Sequence, residues 1–156
     1  MDIVLSVSLE LVVYKKNGIA LVEEELRRLA ALNPRAAKDE AKLRAAMVAW
    51  AQSGFGGGIL DFKPIEGPPY NKKMWEARYL KTARKNEDVH GYRIFYILTR
   101  RPTTGTEVAV LLKLWAKSGS DTPKAILMDA WGYALEVWQL IEQGRFFAPP
   151  AGKGVH

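Results

Sequence analysis

Apolar and polar residues alternate from Asp2 to Tyr14, with Ile3, Leu5, Val7, Leu9, Leu11 and Val13 on one side and Asp2, Ser6, Ser8 and Glu10 on the other. A period of two is the pattern of a half-buried strand, so this segment is expected to join a sheet. Lys15-Lys16-Asn17-Gly18 then turns the chain. From Ile19 to Leu32 the period changes: Val22, Leu26, Leu29 and Leu32 fall close to helical spacing. Glu23, Glu24 and Glu25 come early and Arg27 and Arg28 late, which complements the helix dipole. Asn33-Pro34 reads as a cap followed by proline at the first helical position, and Leu43, Met47 and Trp50 mark one face of a second helix that ends before Gly54. Together the two runs predict a helical hairpin.

The glycine-rich stretch Ser53 to Gly58 lacks the Lys-Ser/Thr pair and the strand-loop-helix setting of a phosphate loop, and reads as a flexible exit from the second helix. Ile59 to Tyr70 holds Pro64, Gly67, Pro68 and Pro69, and predicts an extended lead rather than an internal strand. Met74 to Lys117 then contains three runs rich in β-branched and aromatic residues, expected as successive antiparallel strands. Their alternation puts Glu76, Arg78, Arg93, Lys113, Trp115 and Lys117 on one face. Trp75, Tyr79, Tyr92, Ile94, Tyr96, Val110, Leu112 and Leu114 are expected on the other.

Thr122-Pro123 predicts a further cap with proline at the first helical position, opening a helix that runs to Gln143 and is stopped by Gly144. Between Ala125 and Ile141 its only charged residues are Asp129 and Glu136. Such a helix buries more than one face, either in a thick core or against a second chain, which would make a homodimer through this helix. The expectation is one α+β domain over residues 1–144, with an N-terminal strand, a helical hairpin, a mainly antiparallel sheet of about four strands and a C-terminal helix. Residues 145–156 are expected as a flexible tail.

Composition narrows the chemistry. The chain has 156 residues, enough for one core, and 48% of them are hydrophobic, which argues against disorder. No apolar run approaches a membrane span, and the start lacks the basic n-region of a signal peptide, so a cytoplasmic protein with no membrane contact is expected. There is no cysteine and only two histidines. Disulfides and Cys-based zinc sites are excluded and little is left for a histidine-built site; no cofactor is expected, and an enzyme of this composition works without a metal or with one held by carboxylates.

Charge is unevenly placed. Residues 1–60 carry 8 Lys and Arg against 7 Asp and Glu, residues 61–125 carry 13 against 7, and residues 126–156 carry 2 against 3. The net charge of +6 therefore resides in the sheet region. Cations interleaved with aromatic rings suit a polyanion, since phosphates are neutralised by Lys and Arg while rings stack on unpaired bases. Taken singly, Lys72, Lys73, Lys81, Arg84 and Lys85 are solvated loop charges; the aggregate points to nucleic acid.

The series MWEAR, GYRIFY, VAVLLKLWAKS and DTPKAILMDAW, from roughly Ile59 to Tyr133, resembles the RelE and ParE toxin superfamily, especially its phage-derived HigB-like branch. That resemblance implies the toxin of a type II toxin-antitoxin system that cleaves mRNA on the ribosome, with a cognate antitoxin, mRNA and the ribosome as partners. In such cleavage the ribose 2′-oxygen attacks the adjacent phosphate and the 5′-oxygen leaves. The reaction needs a group to take the 2′-proton, cations for the growing phosphate charge and an acid for the leaving oxygen.

By the same resemblance, Arg93 corresponds to the phosphate-stabilising arginine, Arg78 assists in binding, and Lys117 holds a position at the end of the last strand where the family often places functional basic residues. Lys113 and Trp115 on the strand and Lys81, Arg84 and Lys85 in the loop are the expected RNA contacts. Some positions depart from the family: Met74 and Glu76 stand where its best-studied members have lysines, Lys113 where it often has His or Asn, and a paired Lys-Lys is Ala116-Lys117. The general base is open, because Glu76 either accepts the proton or pairs with Arg78 or Arg93 and serves structure. The alternative within the same fold is a non-catalytic protein, a ParE-type gyrase inhibitor or a phage-derived interaction module.

Overall fold

The computed structural model describes residues 9–53, 59–79, 91–116 and 122–147. Strand β1 (Glu10–Val13) leads into a small hairpin of β2 (Lys15–Lys16) and β3 (Ile19–Ala20). Asn17 and Gly18 at its tip have φ of 53° and 78°. Positive φ at both central residues is what a two-residue hairpin turn requires, and Asn-Gly is the pair that adopts it most readily. The hairpin takes up Ile19 and Ala20, so helix α1 is Leu21–Ala30, shorter than the periodicity predicts. Helix α2 is Pro34–Ser53, and the Asn33 side chain accepts the Ala36 amide as the expected cap.

Strands β4 (Ile59–Pro64), β5 (Trp75–Tyr79), β6 (Tyr92–Arg100) and β7 (Glu107–Ala116) complete a five-stranded sheet in the order β1-β7-β6-β5-β4. β1 runs parallel to β7, and the other neighbours are antiparallel. The sheet therefore has one strand more than expected. The extra one is β4, whose proline is its last residue on an edge strand, where a missing donor costs nothing. Residues 2–8 of the expected first strand, residues 54–58 of the glycine-rich stretch and the expected loop from Lys81 to His90 lie outside the described residues.

Helix α3 (Lys124–Glu142) begins one residue later than the sequence suggests. Pro123 is the cap itself, with extended φ and ψ of −60° and 145°, and no side chain bonds the first turn. Gly144, with φ of 68°, ends the helix as expected, and the amides of Arg145 and Phe146 both return to the Leu140 carbonyl.

The sheet separates two cores. On the hairpin side, Val22, Leu26, Leu43, Met47 and Trp50 pack on Tyr92, Ile94, Tyr96, Leu111 and Leu114. On the α3 side, Ala130, Trp131, Ala134 and Val137 pack on Phe95, Ile97, Val108, Val110 and Leu112. Val110 and Leu112 thus lie opposite to the face expected of them. The register shifts between Phe95, paired with Lys113, and Tyr96, paired with Leu111. One extra residue on β7 inverts the alternation there, so residues on either side of Leu112 follow different parity. Phe146 and Phe147, just past α3, pack against the α3 core, with the Arg101 guanidinium 5.0 Å from the Phe147 ring centre.

Candidate functional site

Strands β5, β6 and β7 position the predicted basic face. Cross-strand partners project to the same side, and the register pairs Arg78 with Arg93 and Arg93 with Trp115. One pleat further along, Glu76 pairs with Phe95 and Phe95 with Lys113. The expected companionship of Glu76, Arg78, Arg93, Lys113 and Trp115 on one face is present. This is the α3 side of the sheet, since Phe95 and Trp115 belong to that core. The β7 bulge is what brings Trp115 there. Lys117, Lys81, Arg84 and Lys85 lie outside the described residues.

Accessibility divides these side chains. Arg93 is only 4% exposed and forms an ion pair with Glu76, whose side chain is 14% exposed. The pair runs diagonally between β5 and β6, and two charges so far from water are held by their mutual geometry. Arg78, Lys113 and Trp115 are half-buried. Two arginines directly opposite each other repel unless an anion lies among them, and the Glu76 carboxylate is one such anion.

On the hairpin side of β6 and β7, Glu25 accepts the Leu114 amide at 3.4 Å. It borders a cleft of about 230 Å³ walled by Arg28, Leu29, Leu32, Tyr92 and Leu114. Burial pushes the Glu25 carboxyl above its ordinary value, and the positive charges of Lys113 and Arg28 and the Leu114 amide only partly offset this. Tyr92 donates to Asp39 at 2.9 Å and ties α2 to the sheet, and burial followed by that carboxylate raises its hydroxyl pKa.

A second polar cluster escaped the sequence reading. Tyr14 Oη donates to Glu136 Oε1 at 2.7 Å and Lys16 Nζ to Glu136 Oε2 at 2.6 Å, joining the end of β1 to α3. Burial, then the neighbouring carboxylate, pushes the Tyr14 hydroxyl up to about 12. The Lys16 and Tyr14 hydrogen bonds hold Glu136 below the ordinary carboxylate range. Clefts of about 380 and 450 Å³ flank this cluster, the larger reaching Arg101, Arg145 and Phe147. Arg101 makes two bonds to Glu10, at 2.6 and 2.7 Å. No periodic signal links Tyr14 to a residue 122 positions away.

Among the described residues no group of three or more histidines or carboxylates gathers as a metal site would need, and no helix is long and apolar enough to cross a membrane. Comparison of the sequence with protein-family models gave no match, and comparison with curated proteins gave none.

Proposed function

We propose that this protein is a RelE-like toxin, a cytoplasmic endoribonuclease that cuts mRNA on the ribosome and is neutralised by a cognate antitoxin. The observation that carries the reading is the juxtaposition of Arg78 and Arg93 on adjacent strands, with Trp115 next across the sheet. Paired guanidiniums suit one phosphate, and a ring beside them suits the adjoining base. In this reading Arg78, the more accessible of the two, meets the phosphate and neutralises the charge that grows as the 2′-oxygen attacks. Arg93, held by Glu76, lies beside Arg78 on the same face and acts as a positioning residue rather than as a free cation. Lys117, one residue beyond the end of β7 in the sequence, is the further cation that the resemblance assigns to the site.

One observation favours a second reading. The Glu76–Arg93 pair is nearly closed to solvent, as suits a structural cross-strand tie. That arrangement fits a non-catalytic protein on this fold, a gyrase inhibitor of ParE kind or an interaction module.

Growth arrest on inducible expression, combined with mapping of transcript 5′ ends, separates the two. Arg93→Ala alone is a poor probe, since stripping one partner from a buried pair costs about 3–5 kcal/mol of stability. The informative variants are Arg78→Ala and the charge-free double replacement Glu76→Leu with Arg93→Met, which substitutes apolar volume for the pair. The expected result is arrest with new cuts inside translated codons for the wild type, and loss of both in each variant while urea unfolding stays cooperative. Arrest without cuts would transfer the reading to a protein target. Absence of arrest would overturn the toxin assignment.

A further inference from the structure

Helix α3 leaves a seam open to solvent. Ala125, Met128, Gly132, Leu135, Gln139 and Glu142 follow one another at alternating spacings of three and four, the period of helices that pack side by side. All six are exposed, Met128 at 43% and Leu135 at 50%, while Ala130, Trp131, Ala134 and Val137 are turned into the core. At Gly132 an added Cβ would meet nothing within 4 Å, so the helix surface carries a notch between two protruding apolar side chains.

The seam is complementary to itself when reversed. Laid antiparallel on a second copy, Leu135 falls on Gly132, Met128 on Gln139, and Ala125 on Glu142; Lys124, next to Ala125, comes beside Glu142. The charges supply an independent argument. The first turn of α3 has no acidic residue and its last turn no basic one; Lys124 opens the helix and Glu142 closes it. Within one helix both charges oppose the dipole. Against an antiparallel neighbour, each meets its opposite.

We propose that the protein forms a two-fold homodimer through α3, with Leu135 of each copy seated in the Gly132 notch of the other and the ends closed by Lys124–Glu142 pairs between copies. Such an interface is isologous, so each contact occurs twice. It does not depend on the RNA reading, because none of its residues belongs to the arginine face. A single helix pair gives a small interface at the weak end of specific association. Dissociation constants of roughly 10–100 µM are expected.

Sedimentation equilibrium of the full chain, from about 1 to about 500 µM, tests this by spanning the expected constant. The wild type should pass from monomer to dimer. Lys124→Glu and Glu142→Lys should each weaken the dimer roughly tenfold, because each turns two attractions into two repulsions. The double swap should restore the constant to within about threefold, since the pairs re-form with reversed polarity. Gly132→Leu should abolish the dimer while melting at low concentration still shows a folded monomer. A wild type that stays monomeric throughout, a double swap no better than the singles, or a Gly132→Leu variant that still dimerises would each overturn the proposal.

Discussion

Two kinds of carboxylate sit in this molecule, and their environments set opposite signs. Glu136 is held below its ordinary range by the Lys16 and Tyr14 hydrogen bonds, as Glu10 is by Arg101 and Glu23 by Arg44. A carboxyl whose pKa is depressed on folding contributes stability that is present above its unfolded value, about 4.3, and lost as pH falls through the folded one. Glu25 is raised by burial. Its protonated form is the one the fold favours, so its contribution is present below the unfolded value and is lost as pH rises through the folded one. Glu136→Gln should therefore lower the urea midpoint at neutral pH, and Glu25→Gln should raise it. Both differences should shrink near pH 3, where all four carboxyls are largely protonated in the unfolded chain. Midpoints at pH 7 and at about pH 3 check this; a neutral-pH shift in the same direction for both variants would refute it.

At the scale of elements, the bulge in β7 decides which side chains meet. Val108, Val110 and Leu112 enter the α3 core, yet Leu114, two residues on, enters the hairpin core, so parity changes within one strand. Deleting Lys113 would remove the extra residue and put Leu112 opposite Phe95, with Leu114 still opposite Ile94 and Trp115 still opposite Arg93, whereas deleting Ala109, in the regular part of the strand, would turn the residues on one side of the deletion to the wrong core. The Ala109 deletion should cost more than a single buried leucine lost to alanine, about 2–5 kcal/mol, and should melt well below the Lys113 deletion. Equal melting temperatures for the two deletions would refute the claim that one residue at the bulge sets the parity of β7.

The same bulge explains how much was legible beforehand. Alternation alone correctly groups Arg78, Arg93 and Trp115, because β5, β6 and the end of β7 keep one parity. It misplaces Val110 and Leu112 because an inserted residue leaves no mark in composition. β4 was hidden by its proline and by Pro68 and Pro69 just beyond it, which exclude a central strand but not an edge. The Glu76–Arg93 pair was one of the two fates open to Glu76, and charge alone cannot choose between them; burial does. Tyr14, Lys16 and Glu136 were invisible as a group, since only the packing of α3 against the end of β1 brings them together.

Across the whole molecule the balance of +6 is concentrated in the sheet region, but several of its cations are committed to partners. Arg93 is tied to Glu76, Arg101 to Glu10 and Lys72 to Glu66. Net charge therefore overstates what a polyanion could use, and the salt dependence of any RNA binding would report the usable part. Each phosphate neutralised on a single strand contributes about −0.7 to the slope of log affinity against log salt. If Arg78, Lys113 and Lys117 are the principal contacts, a single-stranded RNA oligonucleotide should bind with a slope of roughly −2. Arg78→Ala should bring that slope to about −1.4 and weaken binding to unrelated sequences alike, as expected of a phosphate contact. The cleft by Tyr14 offers the competing location, with Lys15, Arg101 and Arg145 on its walls. Arg145→Ala should leave the slope unchanged. If that variant instead carries the loss and Arg78→Ala does not, the polyanion surface lies at the junction of β1 and α3, and the arginine face reverts to a structural seam closed by its own glutamate.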